Sequence, residues 1–471
     1  MNVQGRPKPP ARQSGPGLSL TVGRLVLPVL VEQLLALSVG FTDKWLAGNL
    51  LEGPEYLAAV GLVAYCLAFL PGLFAVPAIA ATALVARSTG AGDTGGARSA
   101  ASQALLLGVL AAGGLLAVVS ILAEPLLAAF GLPEESSAHA RSYLGIVLPG
   151  LPAIMLVHVG VAVLRGSGDM VSGMASMTVV NIVNAAASYG LATGVCGLPA
   201  LGWEGLAWGT LAGYCLGAVS VATLLVRRLG FAVVDARPDP AMLRRILHVG
   251  LPAGVDAIAN AACHLGFLSI VNRLGNVDAA AHSVAITIES LAYLPGSAFQ
   301  VAAATLAGQF LGAQDEPRAR RSVWLSATAC VLLMSVAGLA FLGQADRLAG
   351  WFVGGADRQP EVAALTARLV RIVAFVQPPL ALLMVLSGGL RGAGATRLPL
   401  IVNFLGLLLV RLPLAIGLAW PPLSLAGGAI VIPGLGWGAV GAWYAMAADL
   451  SLRGLAMLLI FRQGRWSRTV V

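Results

Sequence analysis

The chain has 471 residues, 58% of them hydrophobic and 11% charged, where a soluble domain carries about 25% charged residues. Its 58 glycines suit closely packed transmembrane helices. The net charge of +8 is scattered between apolar spans and forms no basic patch with interleaved aromatics, which excludes a nucleic-acid surface and leaves a polytopic membrane protein.

The N-terminal stretch MNVQGRPKPPARQSGPG is basic, rich in Pro and Gly, and lacks the small-residue cleavage site of a secretory signal. Residues 1–20 therefore read as a disordered cytoplasmic tail. Twelve segments then meet the requirement of about 20 mostly apolar residues for a spanning helix. They run roughly 22–48, 57–86, 99–123, 141–164, 171–195, 203–226, 245–272, 279–310, 322–344, 364–390, 398–420 and 435–461. Pro71, Pro77, Pro149, Pro152, Pro295, Pro378 and Pro379 predict kinked or tilted helices. Most Lys and Arg residues fall in alternate loops, including Arg87, Arg98, Arg165, Arg227, Arg228, Arg391 and Arg397. The positive-inside bias then puts both termini in the cytoplasm, with the chain in the cell membrane.

The chain repeats itself in one order. LPVLVEQ at 27 matches LPAGVDA at 251, and LAFLPG at 67 matches LAYLPG at 291. LVARSTGAGD at 84 matches LAGQFLGAQD at 306, LRGSGD at 164 matches LRGAGA at 390, and GWEGLAWG at 202 matches GWGAVGAW at 436. The expected fold is thus all-α, with two six-helix lobes in a parallel repeat and a binding site between them. The N-lobe covers 21–228, a cytoplasmic linker 229–243, the C-lobe 244–462, and a C-terminal tail 463–471.

There is no Walker GxxxxGK[ST] and no HExxH, and the five histidines show no metal-ligand spacing. Cys66, Cys196, Cys215, Cys263 and Cys330 form no CxxC and read as small buried hydrophobes. An embedded enzyme lacks its nucleophile or metal cluster, and a passive channel lacks its selectivity loop. What remains is a set of ionisable residues within spans, each a functional candidate because charge at membrane depth is costly. Asp449 has Arg453 one helical turn on, the spacing of an ion pair. Arg411 needs a partner, for which Glu289 and Asp256 are available.

Glu32 and Asp43 lie eleven residues apart on the first span, which is three turns plus roughly 20°, so one face presents both, separated by about 16 Å. That face should line a cavity or meet polar partners. Lys44 points about 100° away and reads as a snorkelling anchor. Asn181, Asn184 and Ser188 share a face of the fifth span. Carboxylate, amide and hydroxyl oxygens suit a hard cation or a hydrogen-bonded protonatable carboxylate.

These pieces resemble the MATE family, the multidrug and toxic compound extrusion transporters. The likeness rests on LP at 27–28 followed by GFTDKWLAG, on LRGSGD, on AAHS at 280–283 and on GQFLGAQD at 308–315. The resemblance implies two six-helix lobes, a V-shaped cavity, and export of amphipathic, often cationic compounds against inward Na⁺ or H⁺. It implies a coupling site at Asp43, Asn184 and Thr210, with Asn181 nearby; Asp43 and Asn184 would be the Na⁺ ligands. Many members carry an Asp where this chain has Ser188. Some place a carboxylate in the seventh helix where this chain has Asn260, four residues after Asp256, and their tenth-helix Asp has no counterpart here. Coupling is therefore expected in the N-lobe. Glu32, Asp256, Asn260 and Glu289 are assigned to the cavity or pathway. No cofactor is expected. The expected partners are organic cations and membrane lipids, and the expected assembly is a monomer. The nearest rival is a lipid-linked saccharide flippase of the same superfamily, whose cavity would need more bases than Lys44, Arg411 and Arg453.

Overall fold

The computed structural model describes residues 17–129, 133–230, 237–353, 359–425, 430–432 and 434–469. The expected N-terminal tail up to residue 16 and the middle of the linker, 231–236, lie outside the described residues.

Helices occupy all twelve expected segments. The first half contains α1 (Leu18–Leu50), α2 (Pro54–Leu73), α3 (Ala75–Gly90), α4 (Thr94–Ala129), α5 (Glu134–Val147), α6 (Leu151–Ser167), α7 (Met170–Thr193) and α8 (Trp203–Leu229). The second half contains α9 (Pro240–Asn272), α10 (Asn276–Gly312), α11 (Glu316–Val353), α12 (Pro360–Gly392), α13 (Arg397–Leu405), α14 (Leu412–Ala419) and α15 (Gly438–Gln463). A short antiparallel pair, β1 (Leu423–Leu425) with β2 (Ile430–Ile432), joins α14 to α15. Among the described residues nine helices are long and apolar enough to cross a membrane, or ten if α12, bent by 54° between Ala374 and Gln377, is one span. The other two expected segments form α2–α3 and α10.

The breaks have local causes. Phe74 separates α2 from α3 within reach of Pro71 and Pro77, each of which removes a backbone donor. Pro378 and Pro379 follow the bend of α12. Between α13 and α14 the backbone makes a π-helical turn, Gly406–Arg411, which adds one residue to the helix. Helix starts are capped where the sequence supplies a carboxylate: Asp169 accepts from the Ser172 amide at 3.0 Å, and Asp239 from the Ala241 amide at 2.9 Å ahead of Pro240.

The repeat extends to backbone conformation. Gly168 and Gly394 hold the same place in the LRGxG blocks, and both are left-handed, with φ of 90° and 85°. Gly92 (φ 71°) ends the third helix of the first half, and its counterpart Gln314 (φ 59°) is the one non-glycine residue with positive φ among the described residues.

Two hydrophobic cores form, one per half, and they exchange helix starts. Val22, Val26 and Val29 of α1 belong to the core of the second half, while Met242, Ile246 and Val249 of α9 belong to that of the first. The two lobes thus interlock at the end carrying the arginine-rich loops. Contacts there are backbone-close: a Cβ at Gly90 would collide with the Gln309 carbonyl, and one at Gly312 with that of Arg87. Thr305 Oγ1 donates to the Arg165 carbonyl at 3.0 Å, and Gln309 Nε2 to that of Gly166 at 3.1 Å. The C-terminal segment docks at the same end, with Trp466 stacked on Phe461 and Arg87 Nη1 donating to the Thr469 carbonyl at 2.9 Å.

Candidate cation site and cavity

Four helices of the first lobe converge on Asp43. Gly209 of α8 sits against Ser188, where a Cβ would collide, and a Cβ at Gly213 would come within 2.8 Å of the Val180 carbonyl. These glycines let α8 lie close to α7. The close packing puts Thr210 beside Asn184. Asp43 Oδ2 accepts from Tyr143 Oη at 2.6 Å and from Thr210 Oγ1 at 2.8 Å. Asn184 Nδ2 donates to Thr210 Oγ1 at 2.9 Å and reaches Asp43 Oδ1 and Ser188 Oγ at 3.3 Å. Ser188 Oγ in turn donates to the Leu206 carbonyl.

Asp43 is 3% exposed, and Tyr143, Asn184, Ser188 and Thr210 are fully buried. The ring of Tyr143 packs on Trp203 at 5.6 Å, and Trp203 also contacts Tyr56 and His139. This aromatic group shields the site from water. Among the described residues no cation pairs with Asp43; Lys44 is exposed. One acceptor is orphaned: Asn184 Oδ1 is inaccessible and has no hydrogen-bond partner. Asp43 Oδ1 has only the long bond from Asn184. Two under-satisfied oxygens, one of them anionic, match the donor set of a small hard cation, and the carboxylate alone can take a proton.

The spacing argument therefore brings Asp43, Asn184, Ser188 and Thr210 together, but not Asn181. Its amide donates to the Leu35 and Met177 carbonyls, both at 2.9 Å, and so ties α7 to α1. Tyr143 is the member that the sequence did not single out.

Glu32 does not share the Asp43 environment. It pairs with Arg165 at 2.5 Å. Asp256, its repeat counterpart, pairs with Arg391, the counterpart of Arg165, also at 2.5 Å. Each lobe thus ties its first helix to its LRGxG block by the same ion pair. Arg411 pairs with Asp449 at 2.9 Å, and not with Glu289 or Asp256, the partners expected for it. Arg453 joins the same carboxylate at 2.6 Å.

The second lobe has no copy of the cation site. Phe267 stands where the repeat places Asp43. The added residue of the π-helical turn brings Arg411 to the place of Asn184, with its guanidinium carbon 5.9 Å from the Phe267 ring. Beside it lies a cavity of about 580 Å³, lined by Asp256, Asn260, Glu289, Arg391, Arg411 and Arg453 among others. Among the described residues no cluster of three or more His, Cys, Asp or Glu side chains could hold a multivalent metal.

Two repeated, interlocked lobes of membrane-spanning helices, with a dry carboxylate site and a polar cavity, define a membrane transporter. The chain matches the MatE family model over residues 28–189 and 252–416, one stretch in each lobe, and it belongs to that family. It is 26% identical to the probable multidrug resistance protein NorM of Thermotoga maritima, over 95% of this chain and 93% of the relative. It is 30% identical to the probable multidrug resistance protein NorM of Pseudomonas aeruginosa, over 93% of this chain and 88% of the relative. A solved outward-facing structure of a multidrug resistance MATE family transporter of the MOP superfamily is similar with a TM-score of 0.84 at 20% identity, covering 96% of this chain and 97% of that one. At that identity the likeness is one of fold.

Proposed function

We propose that the protein is a secondary antiporter of the cell membrane that exports amphipathic organic compounds bearing a cationic centre, in exchange for inward Na⁺ or H⁺ bound at Asp43. The observation that carries this reading is the buried, unpaired Asp43 carboxylate beside the orphaned Asn184 Oδ1. An uncompensated charge in a dry site is costly, and a bound cation or proton relieves that cost. The site joins α1, α5, α7 and α8, so its occupancy biases how α1 packs against its own lobe. Because the start of α1 belongs to the core of the other lobe, that bias reaches the seal between lobes. A ligand shifts such an equilibrium only through different affinity for the two states. The multidrug resistance names of the relatives support drug export as the transported function. With the interlocked arginine-rich end taken as cytoplasmic, the lobes are sealed on the cytoplasmic side and both termini lie inside.

A second reading, a flippase for lipid-linked saccharides, draws support from the three arginines on the second-lobe cavity, one more than the sequence alone placed at depth. Asp256 and Asp449 pair with them, which weakens it. The test is ethidium efflux from proteoliposomes under an imposed Na⁺ gradient and, separately, a pH gradient. Efflux driven by one gradient supports antiport and identifies the ion. Efflux driven by neither, with transbilayer movement of a lipid-linked pyrophosphate, favours the flippase.

A further inference from the structure

We propose that the arginine-rich end of the first lobe holds an anionic phospholipid, with the headgroup phosphate seated between Arg98 and Arg228. This surface lies outside both the cation site and the second-lobe cavity, and the proposal does not rest on the export reading. A cavity of about 810 Å³ opens there, lined by Thr94, Arg98, Asp169, Val171 and Arg228 among others. It lies where α3, α6 and α8 end and where α4 and α7 begin. That is one rim of the apolar spans, the depth of lipid headgroups.

Arg98 Nε donates to the Leu229 carbonyl at 2.7 Å, which fixes its guanidinium over the end of α8. Gly230, left-handed at φ 63°, permits the close approach: a Cβ there would stand 3.1 Å from Arg98 Nη2. The two terminal nitrogens of Arg98 make no hydrogen bond among the described residues. Arg228 reaches Asp169 Oδ2 through Nε at 3.2 Å. That carboxylate is shared, because it also accepts from the amide and the hydroxyl of Ser172. Two guanidiniums and one carboxylate leave the cavity wall with one net positive charge. Basic pockets between helices at this depth are suited to lipid headgroups.

An apolar track leads away from the cavity. Val171 lines it and is 57% exposed, and Ala175 and Ile182 are exposed on the same face of α7. A phosphate carrying acyl chains matches both the basic cavity and this track; a free phosphate matches only the first. The second lobe supplies a contrast. Arg320, the repeat counterpart of Arg98, also donates to a helix-end carbonyl, that of Arg462 at 3.3 Å. There the C-terminal segment continues over the corner, with Ser467 Oγ donating to Glu316 at 2.7 Å. Among the described residues no segment takes that place in the first lobe.

The test is native mass spectrometry of the purified full-length protein, offered phosphatidylglycerol and phosphatidylcholine with identical acyl chains in one mixture. Both carry the phosphate, but choline adds a cation that the positive wall disfavours. The expected result is retention of phosphatidylglycerol over phosphatidylcholine by ~10-fold. Thr94→Glu adds a carboxylate to the cavity wall in the first turn of α4, where negative charge favours the helix, so the variant should stay folded. It should lower the preference by ~5-fold or more, as should Arg98→Gln/Arg228→Gln, while Arg320→Gln keeps it. The proposal is overturned if the natural protein shows no preference, if monodisperse Thr94→Glu keeps it, or if Arg320→Gln loses it equally. Displacement of the lipid by millimolar inorganic phosphate also overturns it, because a lipid held by headgroup and chains outlasts a soluble anion.

Discussion

Removing Arg165 should destabilise the protein more than removing Arg165 and Glu32 together. At 2.5 Å and an effective dielectric of about 20, the pair attracts by roughly 6–7 kcal/mol before desolvation is counted. The side chains are 18% and 7% exposed, so solvent screens the pair only in part. Glu32 Oε2 already lacks a hydrogen-bond partner. Arg165→Gln would strand that carboxylate, at a cost of about 3 kcal/mol, the lower end for breaking a buried pair. The double variant Glu32→Gln/Arg165→Gln leaves no stranded charge and should recover about half of that loss or more. The matching cycle at Asp256 and Arg391 should behave alike, since the repeat builds the same pair there. Equilibrium unfolding in mixed micelles, with SDS as denaturant, measures all four species of each cycle: the natural protein, the two single variants and the double variant. If the single losses simply add in the double variant, the two pairs are not coupled in the folded protein and the argument fails.

Tyr143→Phe removes a hydrogen bond to a charged acceptor, worth about 1.5–3 kcal/mol. The bare Asp43 carboxylate loses that stabilisation, so the coupling cation should bind at least ~10-fold tighter and leave more slowly. Turnover should fall while the Na⁺ or proton concentration for half-maximal drive also falls; an unchanged half-maximal concentration goes against this role for Tyr143. Asp449→Asn leaves two buried guanidiniums facing each other and should reduce folded yield far more than Asp346→Asn, whose ion pair with Arg371 is exposed; equal yields by size-exclusion chromatography contradict it. Gly312→Val should wedge the lobes apart at the arginine-rich end, because its Cβ position is filled by the Arg87 carbonyl. A cysteine introduced at Thr305, fully buried at that seam, should then become reactive to a water-soluble maleimide. No gain in labelling would show that the close backbone contact does not hold the seal.

The positions of the helices were legible in the sequence because each apolar run is long and the repeat is in register. The breaks in them were not. Nothing in the periodicity of LIVNFLGLLLVRLPL marks a π-helical turn, and Pro71 interrupts its span while the repeat-equivalent Pro295 lies inside a continuous α10. Asp43, Asn184 and Ser188 could be grouped from helical spacing, and the MATE resemblance supplied Thr210. The same spacing wrongly included Asn181, since a residue one turn away on a tilted helix can meet a neighbouring backbone instead. Tyr143 gave no signal, because a tyrosine in EESSAHARSYLG looks like any interfacial aromatic. The ion pairs of Glu32 and Asp256 were recoverable in principle: acid and arginine recur together across the repeat. The pairing of Arg411 with Asp449, 38 residues away on another helix, depends on packing that no local pattern encodes.

The central claim is that Asp43 couples the driving cation to export. It is tested most directly by Asp43→Asn in proteoliposomes, with gradient-driven ethidium efflux and gradient-free ethidium exchange measured on the same preparation. The account predicts that gradient-driven efflux is lost and exchange is kept. Gradient-driven efflux at the level of the natural protein would contradict it.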